Sequence, residues 1–386
     1  MIIGVPKEIM HGEARVAASP EAVAKYIADG HTVLFEKGAG EGASYHDPDY
    51  IKAGAEMIDG PQEIYKRADV IIKVKEPQFN ESLNCHETDM MHKGQYLITF
   101  IHPASPVNHD MVRQLAAQGV TALTLDGIPR ISRAQNLDAL TSMSTCAGYK
   151  GILMAANDLS YFMPQMFTAV GTIKPAKVLV IGVGVAGLQA LATAKRLGCV
   201  TYAADIRPAA AEQATSLGAK SIDLNIPADK AIAPGGYALA LPEDLLEKER
   251  AILAEQVKDM DVIFLSALVP GKIAPILITE EMVKSMRPGS VIVDIAIDQG
   301  GNCAITPAGS CEVKHGVTIE GIKNIPGMLP QSSTWMFSQN MYNLVKYLVK
   351  DNAIVLDLED QITSSILVTR DGEILHRGTL EAMGLA

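Results

Sequence analysis

The chain lacks what a membrane span, a disulfide scaffold or a nucleic-acid surface requires. Its five cysteines, Cys85, Cys146, Cys199, Cys303 and Cys311, are scattered, odd in number and form no CxxC pair. That pattern points to a reducing compartment rather than a cross-linked secreted domain. Lysine and arginine are outnumbered, 33 against 44 acidic residues, for a net charge of −11. The balance argues against nucleic acid and against a basic membrane-surface patch as partners. The opening MIIGVPKE reads as a strand and turn, not as a signal peptide. The longest uncharged run near the centre, Val178 to Ala194, falls short of the ~20 apolar residues of a spanning helix. Direct membrane insertion is therefore not expected, and the expected location is cytoplasmic. No internal repeat or low-complexity tract is present. His86 and His92, beside Cys85, lack the spacing and fourth ligand of a zinc site, and no metal is expected.

What is present is a long α/β pattern. A length of 386 residues exceeds a single hydrophobic core, so two domains are expected. Strand signals recur at Ile2–Val5, Thr32–Glu36, Val70–Val74, Tyr96–Phe100 and Val120–Leu125, and Ser19-Pro20-Glu21 has the form of a helix start. Alternating strands and helices imply mainly parallel sheets. Residues Asn136–Met163 read as a connecting helix, and Ser333–Val349 as a second one returning to the first domain. Ala231–Glu247, with Pro234-Gly235-Gly236-Tyr237, reads as a long loop. The acidic run Glu243–Glu249 reads as the solvated face of a helix. Ile354–Leu358, Ile366–Thr369 and Ile374-Leu375, with an Asp371-Gly372 turn, read as a terminal β-ribbon. The expected division is 1–135 plus 326–386 against 136–325. The fold class is two Rossmann-like α/β domains with parallel sheets, joined by long helices, with a cleft between them.

The most informative stretch is Val178 to Arg207. A β-branched run leads into Gly182-Val183-Gly184-Val185-Ala186-Gly187, then an Ala/Leu-rich helix, a second strand and Asp205. This is the order of a dinucleotide-binding βαβ unit. Gly182 suits the tight turn, Gly184 a close approach to pyrophosphate, and Gly187 close packing of helix on strand. The helix N-terminus at Val185 offers unpaired N–H groups to phosphate. Asp205, followed by Ile206 and Arg207, stands where an acid accepts hydrogen bonds from the adenosine ribose. An acid there favours NAD(H) over NADP(H), whereas Arg207 is the residue type that accommodates a 2′-phosphate.

Gly4-Val5-Pro6-Lys7-Glu8 with Glu13-x-Arg15-Val16-Ala17, and Lys284-x-x-Arg287-Pro288-Gly289-Ser290 running on to Asp294, resemble the alanine dehydrogenase/pyridine nucleotide transhydrogenase family along the whole chain. Pro129-Arg130-Ile131-Ser132-Arg133-Ala134-Gln135-Asn136-Leu137-Asp138 resembles the Arg-Gln-Asp loop of the NAD(H)-binding component of proton-translocating transhydrogenase. The resemblance implies that Arg130, Gln135 and Asp138 serve hydride transfer, with Ile131 and Thr141 among the cofactor contacts. Thr141 stands where the family often has serine, so the hydroxyl is kept. A Gln135 amide has donors and acceptors for two neighbours at once, and Arg130 and Asp138 are expected to pair and hold the loop in shape. Gly235-Gly236-Tyr237-Ala238 resembles that component's mobile loop, and Ala267-Leu268-x-Pro270-Gly271-Lys272 its ribose-binding segment. The resemblance further implies a homodimer, peripheral to an inner membrane through membrane-spanning subunits that couple proton translocation, and NADP(H) on a partner subunit. Arg15, Lys75, His102 and Asp298 stand where alanine dehydrogenases bind and turn over substrate. A stand-alone alanine dehydrogenase is therefore the alternative, and a non-catalytic NAD(H)-binding redox module is a third reading.

Overall fold

The computed structural model describes residues 1–232, 238–269 and 273–385. It divides into two compact units, Met1–Met143 with Gly327–Ala386, and Ser144–Pro326. The five strands expected in residues 1–125 are found, three with their ends trimmed by a residue or two.

The first unit holds an eight-stranded sheet. From one edge its strands run Glu373–Ile374, Leu367–Arg370, Thr121–Thr124, Tyr96–Thr99, Val70–Ile72, Ile2–Val5, Thr32–Glu36 and Glu56–Ile58. The six N-terminal strands are parallel and follow the doubly wound order. Their central members are buried on both faces, which is why they read as continuous Val/Ile/Leu runs. The terminal ribbon departs from expectation. Leu367–Arg370 and Glu373–Ile374 pair antiparallel around Asp371-Gly372, and the first of them pairs antiparallel with Thr121–Thr124. The hairpin is thus the edge of the main sheet. Within Ile354–Leu358 only Ile354 is in a strand, the two-residue Ala353–Ile354.

Charge is buried at the centre of this unit. Lys73 follows the Val70–Ile72 strand and is fully buried. Its ammonium lies 2.8 Å from Glu87 and 3.5 Å from Glu8, both buried. Glu8 also accepts the Val74 N–H at 2.6 Å, and Glu87 accepts from the Tyr65 hydroxyl at 2.9 Å and the Gln78 N–H at 2.8 Å. Burial pushes the Glu8 carboxyl up to about 7 against the pull of Lys73. The cluster ties together the turns after two adjacent parallel strands.

The second unit has a seven-stranded sheet in the order Lys220–Ser221, Val200–Ala204, Lys177–Ile181, Val262–Leu265, Val291–Asp294, Val317–Glu320 and Cys311–Lys314. All pairs are parallel except the last, an antiparallel hairpin. Two apolar layers cover its faces, one built on Val178, Val180, Ala190 and Phe264, the other on Leu179, Ile181, Leu253 and Ile263. The connecting helix spans Ala139–Asp158, shorter at both ends than expected, because Ser132–Leu137 forms a 3-10 turn. The returning helix starts earlier, at Pro330, and runs to Leu348. Part of the expected loop Ala231–Glu247 is helical, since a helix begins at Glu243. No helix among the described residues is long and apolar enough to cross a membrane.

Truncating Lys73 leaves two buried carboxylates without a counter-ion. Lys73→Ala is expected to cost roughly 3–5 kcal/mol, and Lys73→Met combined with Glu87→Leu much less. Chemical denaturation midpoints of wild type and both variants check this; equal losses would show that packing, not charge, dominates at the site.

Candidate functional site

In the second unit the sheet order reverses between Lys177–Ile181 and Val262–Leu265. Ligands of doubly wound sheets bind at such a point, beyond the strand C-termini. Gly182 turns there with φ +84°. A Cβ on it would stand 2.5 Å from the Ala267 nitrogen, and one on Gly187 would stand 2.2 Å from the Gly182 oxygen. Both glycines are required by the protein's own packing. Gly184 differs: a Cβ there meets nothing within 4 Å, and its φ of −84° is open to any residue. Gly184 is also the N-cap of the Val185–Arg196 helix, with no side chain capping its first turn. Unpaired N–H groups thus open onto free space at the positive end of a helix dipole.

Asp205 ends the neighbouring strand and is tightly engaged. Its Oδ2 accepts the Val183 N–H at 2.7 Å, and its Oδ1 accepts the Arg207 N–H at 2.8 Å. The Arg207 guanidinium adds bonds of 3.0 Å to Oδ1 and 2.9 Å to Oδ2, and reaches the Val183 carbonyl at 3.3 Å. Four N–H donors fill the carboxylate, so a further donor gains access only as Arg207 swings aside. Ile206 is half-buried against the second apolar layer.

Ala267 and Leu268 follow the Val262–Leu265 strand. Asn302, fully buried, grips Ala267 from both sides: its Oδ1 accepts the Ala267 N–H at 2.9 Å, and its Nδ2 donates to the Ala267 carbonyl at 2.8 Å. Asp294 holds Asn302 in turn, accepting its N–H at 2.8 Å and the Thr306 hydroxyl at 2.8 Å. Sequence reasoning passed over Asn302, since an isolated asparagine carries no motif. Gly236, Tyr237 and the Pro270-Gly271-Lys272 tip lie outside the described residues. Ile232 and Ala238, at the base of the first of these loops, form an antiparallel bridge.

The acidic run is not wholly solvated. Glu249 is buried in the Glu243–Val257 helix. Burial, reinforced by the Asp205 carboxylate, pushes its carboxyl up to about 7.

In the first unit, the Arg130–Asp138 loop is held differently from expectation. Asp138 gives one oxygen to the Thr141 N–H at 2.8 Å and the other to the Thr141 hydroxyl at 2.7 Å. It therefore caps the Ala139–Asp158 helix instead of pairing with Arg130. The anchors are residues that sequence reasoning missed. Arg133 donates to the Tyr347 hydroxyl at 2.8 Å and to Asp360 at 2.6 Å. Asn340 and Asn343 donate to the Asn136 carbonyl at 2.9 and 3.2 Å. These partners lie more than two hundred residues along the chain, where no local pattern reveals them. Gln135, between the two anchors, and Arg130, ahead of them, are exposed, Ile131 is half-buried, and no hydrogen bond fixes the Gln135 amide among the described residues.

Arg15, Lys75 and His102 all belong to the first unit, and Asp298, exposed, to the second. Arg15 is buried, and its guanidinium takes both oxygens of buried Glu13 at 2.7 and 2.5 Å and also meets Met143. It is thus committed within the fold and not poised for a substrate carboxylate. His102 is half-exposed and pairs with Asp126 at 2.7 Å, while its own backbone N–H bonds the same carboxylate at 2.7 Å. Burial disfavours the charged ring, but Asp126 outweighs it and the net shift of His102 is upward.

Models of the alanine dehydrogenase/PNT family match both parts of the chain, the N-terminal domain over residues 4–147 and the C-terminal domain over residues 151–377. The chain belongs to the alanine dehydrogenase/PNT family. Within that family it is 44% identical over 380 residues to a Rhodospirillum rubrum protein, the first part of the NAD(P) transhydrogenase alpha subunit, covering 97% of this chain and 98% of that one. It is 31% identical to the alanine dehydrogenase of Bacillus subtilis over 100% of this chain and 95% of that one. Among solved structures, the transhydrogenase from Sinorhizobium meliloti superposes with a TM-score of 0.83 at 35% identity, covering 98% of this chain and 99% of the other.

Glu249 predicts a pH effect on this member of the family. Its carboxyl sits at about 7 in the folded chain against an ordinary 4.5, so folding binds a proton. The resulting stability is complete below pH 4.5 and is lost as pH rises to about 7. Glu249→Gln should flatten part of that decline in a plot of melting temperature against pH, with the other carboxyls that burial pushes up, Glu8, Glu36, Asp294 and Glu320, supplying the remainder. An unchanged slope would show that the carboxyl titrates normally.

Proposed function

We propose that this chain is the NAD(H)-binding component of a proton-translocating transhydrogenase, exchanging hydride with NADP(H) bound on a partner subunit. The observation that carries the NAD(H) assignment is Gly184, the one glycine of its motif whose missing side chain nothing in the protein itself requires. The space beside it, at an uncapped helix N-terminus, fits a pyrophosphate. The sequence relationship to the transhydrogenase alpha subunit supports the branch. The nicotinamide, when bound, supplies the carbon that gives or takes hydride. The chain's residues bind and orient. The Gly184 loop and Val185 N-terminus hold phosphate. Asp205, Ile206 and Arg207 hold the adenosine ribose, and the acid disfavours a 2′-phosphate. Ala267, fixed by Asn302, and Leu268 flank the cofactor, and the family resemblance makes Gly236 and Tyr237 further cofactor contacts. Arg130, Ile131, Gln135, Asp138 and Thr141 form the hydride-transfer loop, with the Gln135 amide free to bond two partners. This chemistry asks no residue to act as acid or base; it asks for placement.

The partners follow from the same reading: membrane-spanning subunits that couple the reaction to proton movement, with this chain peripheral on the cytoplasmic side, and a second copy of this chain. The hairpin of Met166–Thr168 and Gly171–Ile173 supports dimerisation, because Phe167 and Val170 are 78% and 96% exposed there. The intact His102–Asp126 pair favours alanine dehydrogenase as the second reading, and the engagement of Arg15 by Glu13 speaks against it.

Two measurements test the proposal. With NADH, pyruvate and ammonium the purified chain should show no turnover, and with NADH plus an NADP+-binding partner domain it should turn over. The reverse result would establish the dehydrogenase, and binding without turnover in both assays would establish a redox module. Separately, Gly184→Val should leave circular dichroism and melting temperature unchanged while weakening NADH at least about tenfold, a loss of ~1.4 kcal/mol or more. Retained affinity in a fluorescence titration would remove the cofactor from this loop.

A further inference from the structure

A second constellation, independent of the hydride-transfer reading, lies at the sheet edge of the second unit. Cys311 and Glu320 face each other in register across the antiparallel hairpin Cys311–Lys314/Val317–Glu320. Asp158, the last residue of the Ala139–Asp158 helix, meets them there. One ligand atom from each, the Cys311 Sγ and a carboxylate oxygen from Asp158 and Glu320, all lie within 4.8 Å of one another.

The burial of Glu320 calls for a cation. Glu320 is only 6% exposed, and its Oε2 is buried with no hydrogen-bond partner. A buried carboxylate oxygen without a donor is costly. The nearest polar groups are another carboxyl and a thiol, so an ion bound among them satisfies all three at once. Asn157 donates to Asp158 Oδ1 at 2.8 Å, leaving Oδ2 for a ligand and setting the carboxylate's orientation. Cys311 is exposed, which gives an ion a path in and leaves a coordination position for water.

We propose that Asp158, Cys311 and Glu320 form a divalent transition-metal site of the zinc type, closed by one water, that clamps the edge hairpin to the end of the helix. The donor set selects the class. Thiolate with carboxylate suits Zn2+ or Co2+, whereas Mg2+ and Ca2+ prefer oxygen alone. Tetrahedral bonds of about 2.0–2.3 Å place ligand atoms about 3.3–3.8 Å apart, within reach of the observed spacing by small side-chain adjustments. Binding displaces the thiol proton to solvent and changes no oxidation state.

The test uses the full chain, freed of metal and titrated with Co2+. The expected result is a thiolate-to-cobalt charge-transfer band that saturates at one ion per chain and is displaced by Zn2+. Cys311→Ser should abolish the band, and Glu320→Gln should weaken Co2+ about tenfold or more. Zn2+ should raise the melting temperature of the wild type but not of Cys311→Ser. Should Glu320→Gln fail to fold, as judged by circular dichroism, Asp158→Asn carries the same expectation. NADH binding should be unchanged in all variants, which separates this outcome from the hydride-transfer reading. No band at micromolar Co2+, a band that survives Cys311→Ser, or an affinity indifferent to both carboxylate variants would overturn the proposal and leave a carboxyl pair sharing a proton.

Discussion

The second unit depends on backbone meeting backbone without side chains between. Three such approaches stand in series. Gly148 of the long helix lets that helix close on the Ala186 carbonyl, where a Cβ would stand 2.2 Å away. Gly187 lets the next helix close on the Gly182 carbonyl. Gly182 lets the strand end close on Ala267. Interiors packed to crystal-like density transmit any displacement, so a methyl group at one of these contacts shifts the helix, the loop and the next strand end together. The glycine-rich loop is therefore placed by the sterics of the protein itself. Its one unconstrained glycine is conspicuous for that reason.

Buried charge is arranged around this frame in two ways. Lys73 with Glu8 and Glu87, and Asp294 with the Asn302 and Cys303 N–H groups, are satisfied networks that fix the turns after parallel strands. Such networks hold a geometry more than they add net stability. Glu249 belongs to the other kind. It is a buried carboxyl beside the engaged Asp205, held in its neutral form by its surroundings at moderate pH. Its charge state feeds directly into the field around the Asp205–Arg207 pair.

Most of the fold was legible because its signals are local. The strands Ile2–Val5 and Thr32–Glu36 begin and end where their sequence signals do, and the Gly182–Asp205 unit carries its own order of strand, turn, helix and acid. What sequence could not disclose is what acts over distance. Asp138 is the exception, because its cap is local: Thr141, three residues on, takes both carboxylate oxygens, and the expected Arg130 pair passed over that. Glu249 reads as one more charge on an acidic helix until the sheet beneath it is known. The terminal hairpin has an alternating pattern, but its pairing with Thr121–Thr124 is a long-range event. Asn302 and Asp360 carry no motif at all, and Arg133 lies within the Pro129–Asp138 motif without any sign of its distant partners.

The anchoring of the Gln135 loop has a consequence in time. Its holds, Asn340, Tyr347 and Asp360, are synthesised only after the loop itself and the whole second unit. The same late segment supplies the edge strands of the first sheet. A nascent chain can thus assemble its glycine-rich loop while the Gln135 loop is still unmoored. The two acquire their final form in a fixed order, and the Gln135 loop is the later to be secured.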